Sequence, residues 1–379
     1  MLTPAFLRIL IFMQKSSYIL SVNVVTRYII LKKSKLLLLW TITLLSLFLL
    51  LAFPKDIRNG GSNGAFLCIQ VLIPSLFPFM ILSDFLVRSG LTLRIPKLFG
   101  KISELLFKLP KETFAVFLLS LIGGYPVGAR GIKALFEKGH INESEAKRMA
   151  LFLIGAGPGF LLTFIGSVML RDIKAGYILL ISQTITIILT GILTRFSKDS
   201  SLRASTEKNT GRENIDAGCL VESVNSTVKA IAQLSGLVVM FSAICEVYLN
   251  LAGGNVLLRP LCAFLEITTG SKILSEGYPL PLISFFTAFG GICVHLQIHS
   301  LLTPLRVSKV KFLLFRLLSA FVSMGITSLI LKIFPRDTEV FSTIESTTPT
   351  LSGSIFGSLM LILFSTLFLI SLKTHKKAN

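Results

Sequence analysis

Apolar residues fall in runs close to the ~20 positions needed to cross ~30 Å of hydrocarbon, at 36–53, 64–87, 114–136, 149–170, 175–194, 224–251, 279–302, 312–334 and 355–372. Short polar clusters separate them. The pattern predicts an all-α polytopic membrane protein. One segment differs: "LRIPKLFGKISELLFKL" (93–109) sets Lys97, Lys101, Glu104 and Lys108 at helical spacing among apolar residues. It is too polar to span and is expected to lie in the cytoplasmic interface. The short run 257–270 is expected as an interfacial helix on the far side.

Three runs carry helix breakers near their middle: "GGYPVGARG" (123–131), "GAGPGF" (155–160) and "GGICVHLQ" (290–297). The first is flanked by basic residues on both sides, Lys108 and Lys111 before it and Lys133, Lys138, Lys147 and Arg148 after it. A full crossing would put one cluster outside, against the positive-inside rule. A re-entrant hairpin turning at Gly123-Gly124-Tyr125-Pro126 keeps both inside. After it, Asn142 and Glu145 have the spacing of a capping box. The run 279–302 is a candidate second hairpin; read instead as a full crossing, it would bring Arg306, Lys309 and Lys311 to the cytoplasmic side.

An internal repeat favours the hairpin. "FMILSDFLVRSG" (79–90) aligns with "FSAICEVYLNLA" (241–252), setting Asp84 opposite Glu246, and Gly123-Gly124 fall opposite Gly290-Gly291. With one half entering from the cytoplasm and the other from outside, the repeats are inverted, as in many secondary transporters. The organisation is then a basic interfacial extension (1–35), a first transmembrane half (36–194), a polar cytoplasmic linker (195–223), a second half (224–372) and a basic tail (373–379). With basic residues throughout, the extension is not expected to be a cleavable signal peptide. Part of 1–34 is expected to precede the natural start.

Composition narrows the function. Of 379 residues, 52% are hydrophobic and 15% charged. The net charge of +19 sits mainly between apolar runs, as topology requires, which argues against a nucleic-acid partner. Five scattered cysteines form no CxxC pair, so neither a disulfide frame nor a metal site is indicated. HExxH and GxxxxGK[ST] motifs are absent. The chain is not expected to be an enzyme, and no cofactor is called for.

Backbone that is not helical at membrane depth needs protein or a water-filled cavity to satisfy its polar groups. Three breaks therefore suggest a shared cavity in which half-helix N-termini offer unpaired N–H groups to an anion. The candidate substrate-binding residues are Gly123, Gly124, Tyr125, Pro126, Gly128 and Arg130; Gly155, Gly157, Pro158 and Gly159; and Gly290, Gly291, His295 and Gln297. Arg130 either grips a carboxylate or snorkels to the interface, and the "GAGPGF" glycines serve the cavity or close helix packing. Asp84 and Glu246 are candidates for proton or sodium coupling, or reach headgroup water. His295 is either a titratable site group or a satisfied interior residue.

The runs "PSLFPFMILSDFL" (74–86), "GGYPVGARGIKALFEKGHINESEA" (123–146), "GAGPGF", "LEITTG" (265–270) and "GGICVHLQ" resemble the YlbJ family of sporulation integral membrane proteins, also called stage V sporulation protein V, over about 36–372. The resemblance implies a nucleoside-recognition or Gate domain, a place in the outer forespore membrane of an endospore former, and movement of dipicolinate toward the spore. The Gate domain is in turn similar to concentrative nucleoside transporters, which implies two hairpins, two unwound helices and a trimer. A planar dicarboxylate would be held by half-helix N-termini and Arg130, with Tyr125, Phe160 or Phe289 against its ring. A nucleoside or other solute permease, or a sporulation assembly factor, is the alternative. Arg130→Gln is expected to reduce uptake of the anion sharply with the protein still inserted; unchanged uptake would remove Arg130 from the site.

Overall fold

A computed structural model describes residues 51–89, 95–196, 217–253 and 255–335, with scattered positions from 37 to 49. The expected extension (1–35), most of the linker, the run 355–372 and the basic tail lie outside the described residues. The chain divides into two units, Met1–Arg58 and Asn59–Asn379. In the first, the described residues up to Ala52 are helical, with Trp40, Phe48 and Leu51 exposed.

The second unit holds the candidate site, and its described residues contain helices without strands. Helix α1 (Pro54–Leu67) runs through a π-helical turn at Cys68–Leu72 into α2 (Ile73–Arg88). The wider turn comes just before Pro74, where an N–H is missing from the ladder. Next come α3 (Ile95–Phe107), α4 (Thr113–Gly123), α5 (Tyr125–Glu137) and α6 (Glu143–Phe152). A non-helical stretch at 153–157 leads into a π-helical segment, Gly159–Met169, and then α7 (Ile173–Thr194). Beyond the linker lie α8 (Ala217–Leu251), α9 (Cys262–Leu265), α10 (Ile267–Ser275), α11 (Leu280–Phe289), α12 (Gly291–Leu301) and α13 (Lys309–Ile333).

The exterior is that of a membrane protein. On α7, Tyr177, Ile181, Ile185, Leu189 and Leu193 form an exposed row at i,i+4 spacing, while Ser182, Gln183, Thr186 and Thr190 are buried. On α13 the buried face carries Arg316, Ser319, Ser323 and Thr327. Water would select the reverse arrangement; lipid accepts apolar side chains outside and leaves polar ones to bond between helices. Thr327 Oγ1 hydrogen-bonds Ser182 Oγ (2.9 Å) and Ser284 Oγ (2.7 Å), donating to one and accepting from the other, which ties α13 to α7 and α11. Among the described residues, five helical spans, with α1–α2 and α11–α12 each taken as one, are long and apolar enough to cross a membrane.

Several expectations require correction. The helix expected to start at 64 starts at Pro54, because Gly60 and Gly64 lie against α8: a methyl added at Gly60 would meet Ser242 O at 2.6 Å, and one at Gly64 would meet Ser242 Cβ at 2.8 Å. Close packing overrides the weak helix propensity of "NGGSNG". Helices α4 and α5 do fold back on each other, since Gly128 faces Ser120 and Gly131 faces Val116 on opposite arms of the turn at Gly124. The run 279–302 does not. Phe312 at the start of α13 stacks with His295 and His299, Arg316 reaches Ala288 and Phe289, and Ser323 reaches Ser284. Helix α13 therefore runs antiparallel along α11 and α12 in succession, and these form one interrupted 22-residue span, Leu280–Leu301.

The other hairpin lies where an interfacial helix was expected. Helices α9 and α10 fold back at Glu266, with Gly270 against Ala263. The alignment of Gly123-Gly124 with Gly290-Gly291 thus pairs a hairpin tip with a run-on break.

Lys138→Cys and Ser308→Cys, each in a background lacking other cysteines, are predicted to react with a membrane-impermeant thiol reagent from the same face. Labelling from opposite faces would restore the hairpin over 279–302.

Candidate functional site

Four interruptions converge on one cavity: the tips of both hairpins and the breaks of both interrupted helices. Its lining includes Gly123 to Pro126 from the first tip, Glu266 to Thr268 from the second, Gly157 in the first break and Phe160 after it, and Cys293, Val294 and Gln297 after the second. Leu72 and Leu76 on one side and Leu234 and Val238 of α8 complete the wall. The cavity has a volume of about 40 Å³. At ~10–15 Å³ for each water, that admits a few waters and no larger solute.

Local chemistry explains each break. Gly124 has φ +75°, ψ −158°, and a methyl there would lie 2.8 Å from the Gly157 nitrogen, so the hairpin tip and the first break touch backbone to backbone. Only glycine satisfies both the dihedral and the approach. Gly290 and Gly291 both have positive φ, which turns the carbonyls of α11 away from α12. Glu266 makes the third break without glycine: its carboxylate accepts from Thr268 N (2.8 Å) and Thr269 N (2.5 Å), capping α10.

The N-termini of α5 and α12 have no side-chain cap, and both begin at the cavity. Their N–H groups and dipoles favour negative charge there. Glu266 is the lining carboxylate, and no lysine or arginine is in the lining. Arg316 lies behind Tyr125, its Cζ 6.0 Å from the ring centroid. It is buried, and no carboxylate among the described residues pairs with it. The Tyr125 hydroxyl donates to Thr287 O, locking the first tip to α11.

Of the residues predicted from sequence, Gly123, Gly124, Tyr125, Pro126, Gly157 and Gln297 line the cavity. The others serve elsewhere. Gly128 packs on Ser120 and Leu153 O, Gly155 on Ile187, and Gly159 on Ser75 O; Pro158 caps the π-helical segment. His295 Nε2 meets Phe289 O at 2.9 Å, its ring between Phe289 and Phe312. Gly290 and Gly291 shape the break behind the wall.

Arg130 does not face the cavity. Its Nη2 donates to Asp84 Oδ1 (2.6 Å) and to Ser226 Oγ, while Arg88 Nε holds Asp84 Oδ2 (2.6 Å) and Arg88 Nη1 reaches Glu222 (3.0 Å). This network binds the base of the first hairpin to α2 and α8. The carboxylate expected from a substrate is supplied by the chain itself, at Asp84. Glu246 lies in a second cavity of about 230 Å³, with Asn63, Ser242, Arg259, Lys272 and Glu276.

Glu266 and Thr268 were not predicted. The available signal was a carboxylate inside the apolar run 257–270, which a membrane segment rarely carries without function.

Asp84→Asn and Arg130→Gln are predicted each to lower the melting temperature of the detergent-purified protein and to be non-additive, with a coupling of about 1–3 kcal/mol. Additive losses would show that the pair does not anchor the hairpin.

Comparison with known proteins agrees with a membrane-spanning chain. No protein-family model matches the chain, and no solved structure does. Over 324 residues, covering 73% of this chain and 79% of the relative, it is 22% identical to "Sporulation integral membrane protein YlbJ" of Bacillus subtilis (strain 168). With its apolar exterior and spanning helices, the chain is a multi-pass integral membrane protein similar to YlbJ over most of its length.

Proposed function

We propose that this protein is a sporulation membrane transporter that binds a small solute where the two hairpin tips and the two helix breaks meet. The observation that carries this reading is the convergence of all four interruptions on one cavity. Broken helices are costly in a bilayer and are used where a ligand replaces the missing partners. At about 40 Å³ the cavity is far below the ~300–1,000 Å³ of ligand sites, so loading requires a hairpin to move. The Arg130–Asp84 network is placed to hold the first hairpin shut.

The order long helix, hairpin, interrupted helix, spanning helix occurs twice, as α1–α2 to α7 and as α8 to α13. We read the two series as inverted repeats of the kind found in concentrative nucleoside transporters. The similarity to YlbJ supports a role in sporulation and, in our reading, a place in the outer forespore membrane.

Dipicolinate is the proposed solute. Its two carboxylates suit the uncapped N-termini of α5 and α12, and the field of Arg316, buried without a carboxylate partner, favours an anion. Glu266 then opposes the dianion. This residue favours a second reading, a neutral nucleoside-like solute whose hydroxyls donate to Glu266 and Gln297.

Uptake of labelled dipicolinate and of uridine into proteoliposomes separates the two. If dipicolinate is the solute, Glu266→Gln leaves its uptake intact or raises it. If a nucleoside is, the same change lowers uridine uptake about tenfold or more, the loss of a charged hydrogen bond worth ~1.5–3 kcal/mol. Uptake of neither solute by inserted protein would contradict both readings and favour an assembly role.

A further inference from the structure

Arg316 sits in α13, away from every segment that the sequence marks as broken, yet its guanidinium is aimed at two of the breaks. Nε donates to Phe289 O (3.2 Å), Nη2 to Ala288 O and Nη1 to Ile154 O. The first two carbonyls end α11; the third lies in the non-helical stretch after α6. The first two belong to a half-helix C-terminus and the third follows one directly, so all three lie at the negative ends of helix dipoles. Converging carbonyls at the ends of broken helices are the chemistry that takes up an alkali cation in a membrane, replacing its hydration shell. Here a guanidinium already fills the convergence point.

We propose that Arg316 is a built-in cation occupying the carbonyl site of the interrupted helices, so that this protein binds no sodium there and needs none to assemble its solute site. The geometry supports a fixed rather than an exchangeable charge. Arg316 is buried, and its planar fork addresses backbone from both interrupted helices at once. Tyr125, under the guanidinium, extends the linkage to the first hairpin tip through Thr287 O. His295 shares Phe289 O, so the last carbonyls of α11 are already satisfied by side chains. Asp84 and Glu246, the carboxylates first considered for ion coupling, lie outside this cluster, in the Arg130 network and the second cavity. The consequence for transport rests on the carrier reading, but the binding chemistry does not.

Radioactive sodium binding and thermal unfolding of the purified full-length protein test it, with sodium exchanged for choline at constant ionic strength. The wild type is expected to bind no sodium and to melt at the same temperature in both salts. Arg316→Ala is expected to melt lower in choline, to bind about one sodium per chain and to recover part of the loss when sodium is added. Arg316→Lys, which keeps a cation in place, is expected to fold and remain indifferent to sodium. Sodium-specific binding by the wild type or by Arg316→Lys would overturn the proposal, as would a folded Arg316→Ala that ignores sodium. If Arg316→Ala does not fold, the wild-type and lysine results decide. Failure of solute uptake would count against the carrier reading and not this one, because sodium binding is measured without solute.

Discussion

A helix that ends inside hydrocarbon leaves its last carbonyls and the next helix's first N–H groups without water, and every such group needs a partner from the protein. Helix α11 meets this requirement group by group. Phe286 O accepts from Gly290 N, Thr287 O from the Tyr125 hydroxyl, Ala288 O from Arg316, and Phe289 O from Arg316 and His295. The first break is treated alike, with Leu153 O accepting from Ser120 and Ile154 O from Arg316. The carbonyl ends are thus committed to the protein. The uncapped N–H ends of α5 and α12 face the cavity.

That asymmetry links fold to function. Because side chains from α4, α5, α12 and α13 hold the carbonyl ends, the breaks are fixed features of the fold, and the positive helix ends are left facing the cavity. Glu266 tempers their field from the second hairpin, and Arg316 reinforces it from behind Tyr125. Away from the cavity, the Arg130–Asp84 pair and the serine and threonine bonds among α7, α11 and α13 place polar groups between helices, where a bilayer makes such contacts specific.

Much of this was legible in the sequence wherever the signal is local. Gly124 with Pro126 marks the first hairpin, Asn142 with Glu145 forms the capping box, and "GAGPGF" marks the first break. The direction taken after a break was not legible. Gly290-Gly291 and Gly123-Gly124 look alike, but α11 and α12 are held in line by α13, while α4 and α5 are folded together by Gly128 and Gly131. The second hairpin escaped notice because Glu266 caps its own helix and needs no glycine or proline. The partner of Arg130 lay 46 residues away in Asp84, beyond any spacing argument.

Cys293 lines the cavity and is buried in this closed form, so its thiol reports whether the site ever opens. The decisive measurement is labelling of Cys293 by a membrane-impermeant thiol reagent in protein whose other cysteines are replaced, with and without solute. A solute site predicts that Cys293 is labelled from one face and that dipicolinate or uridine protects it. A folded, inserted protein whose Cys293 is unreactive from both faces would contradict it and leave the four breaks as packing alone.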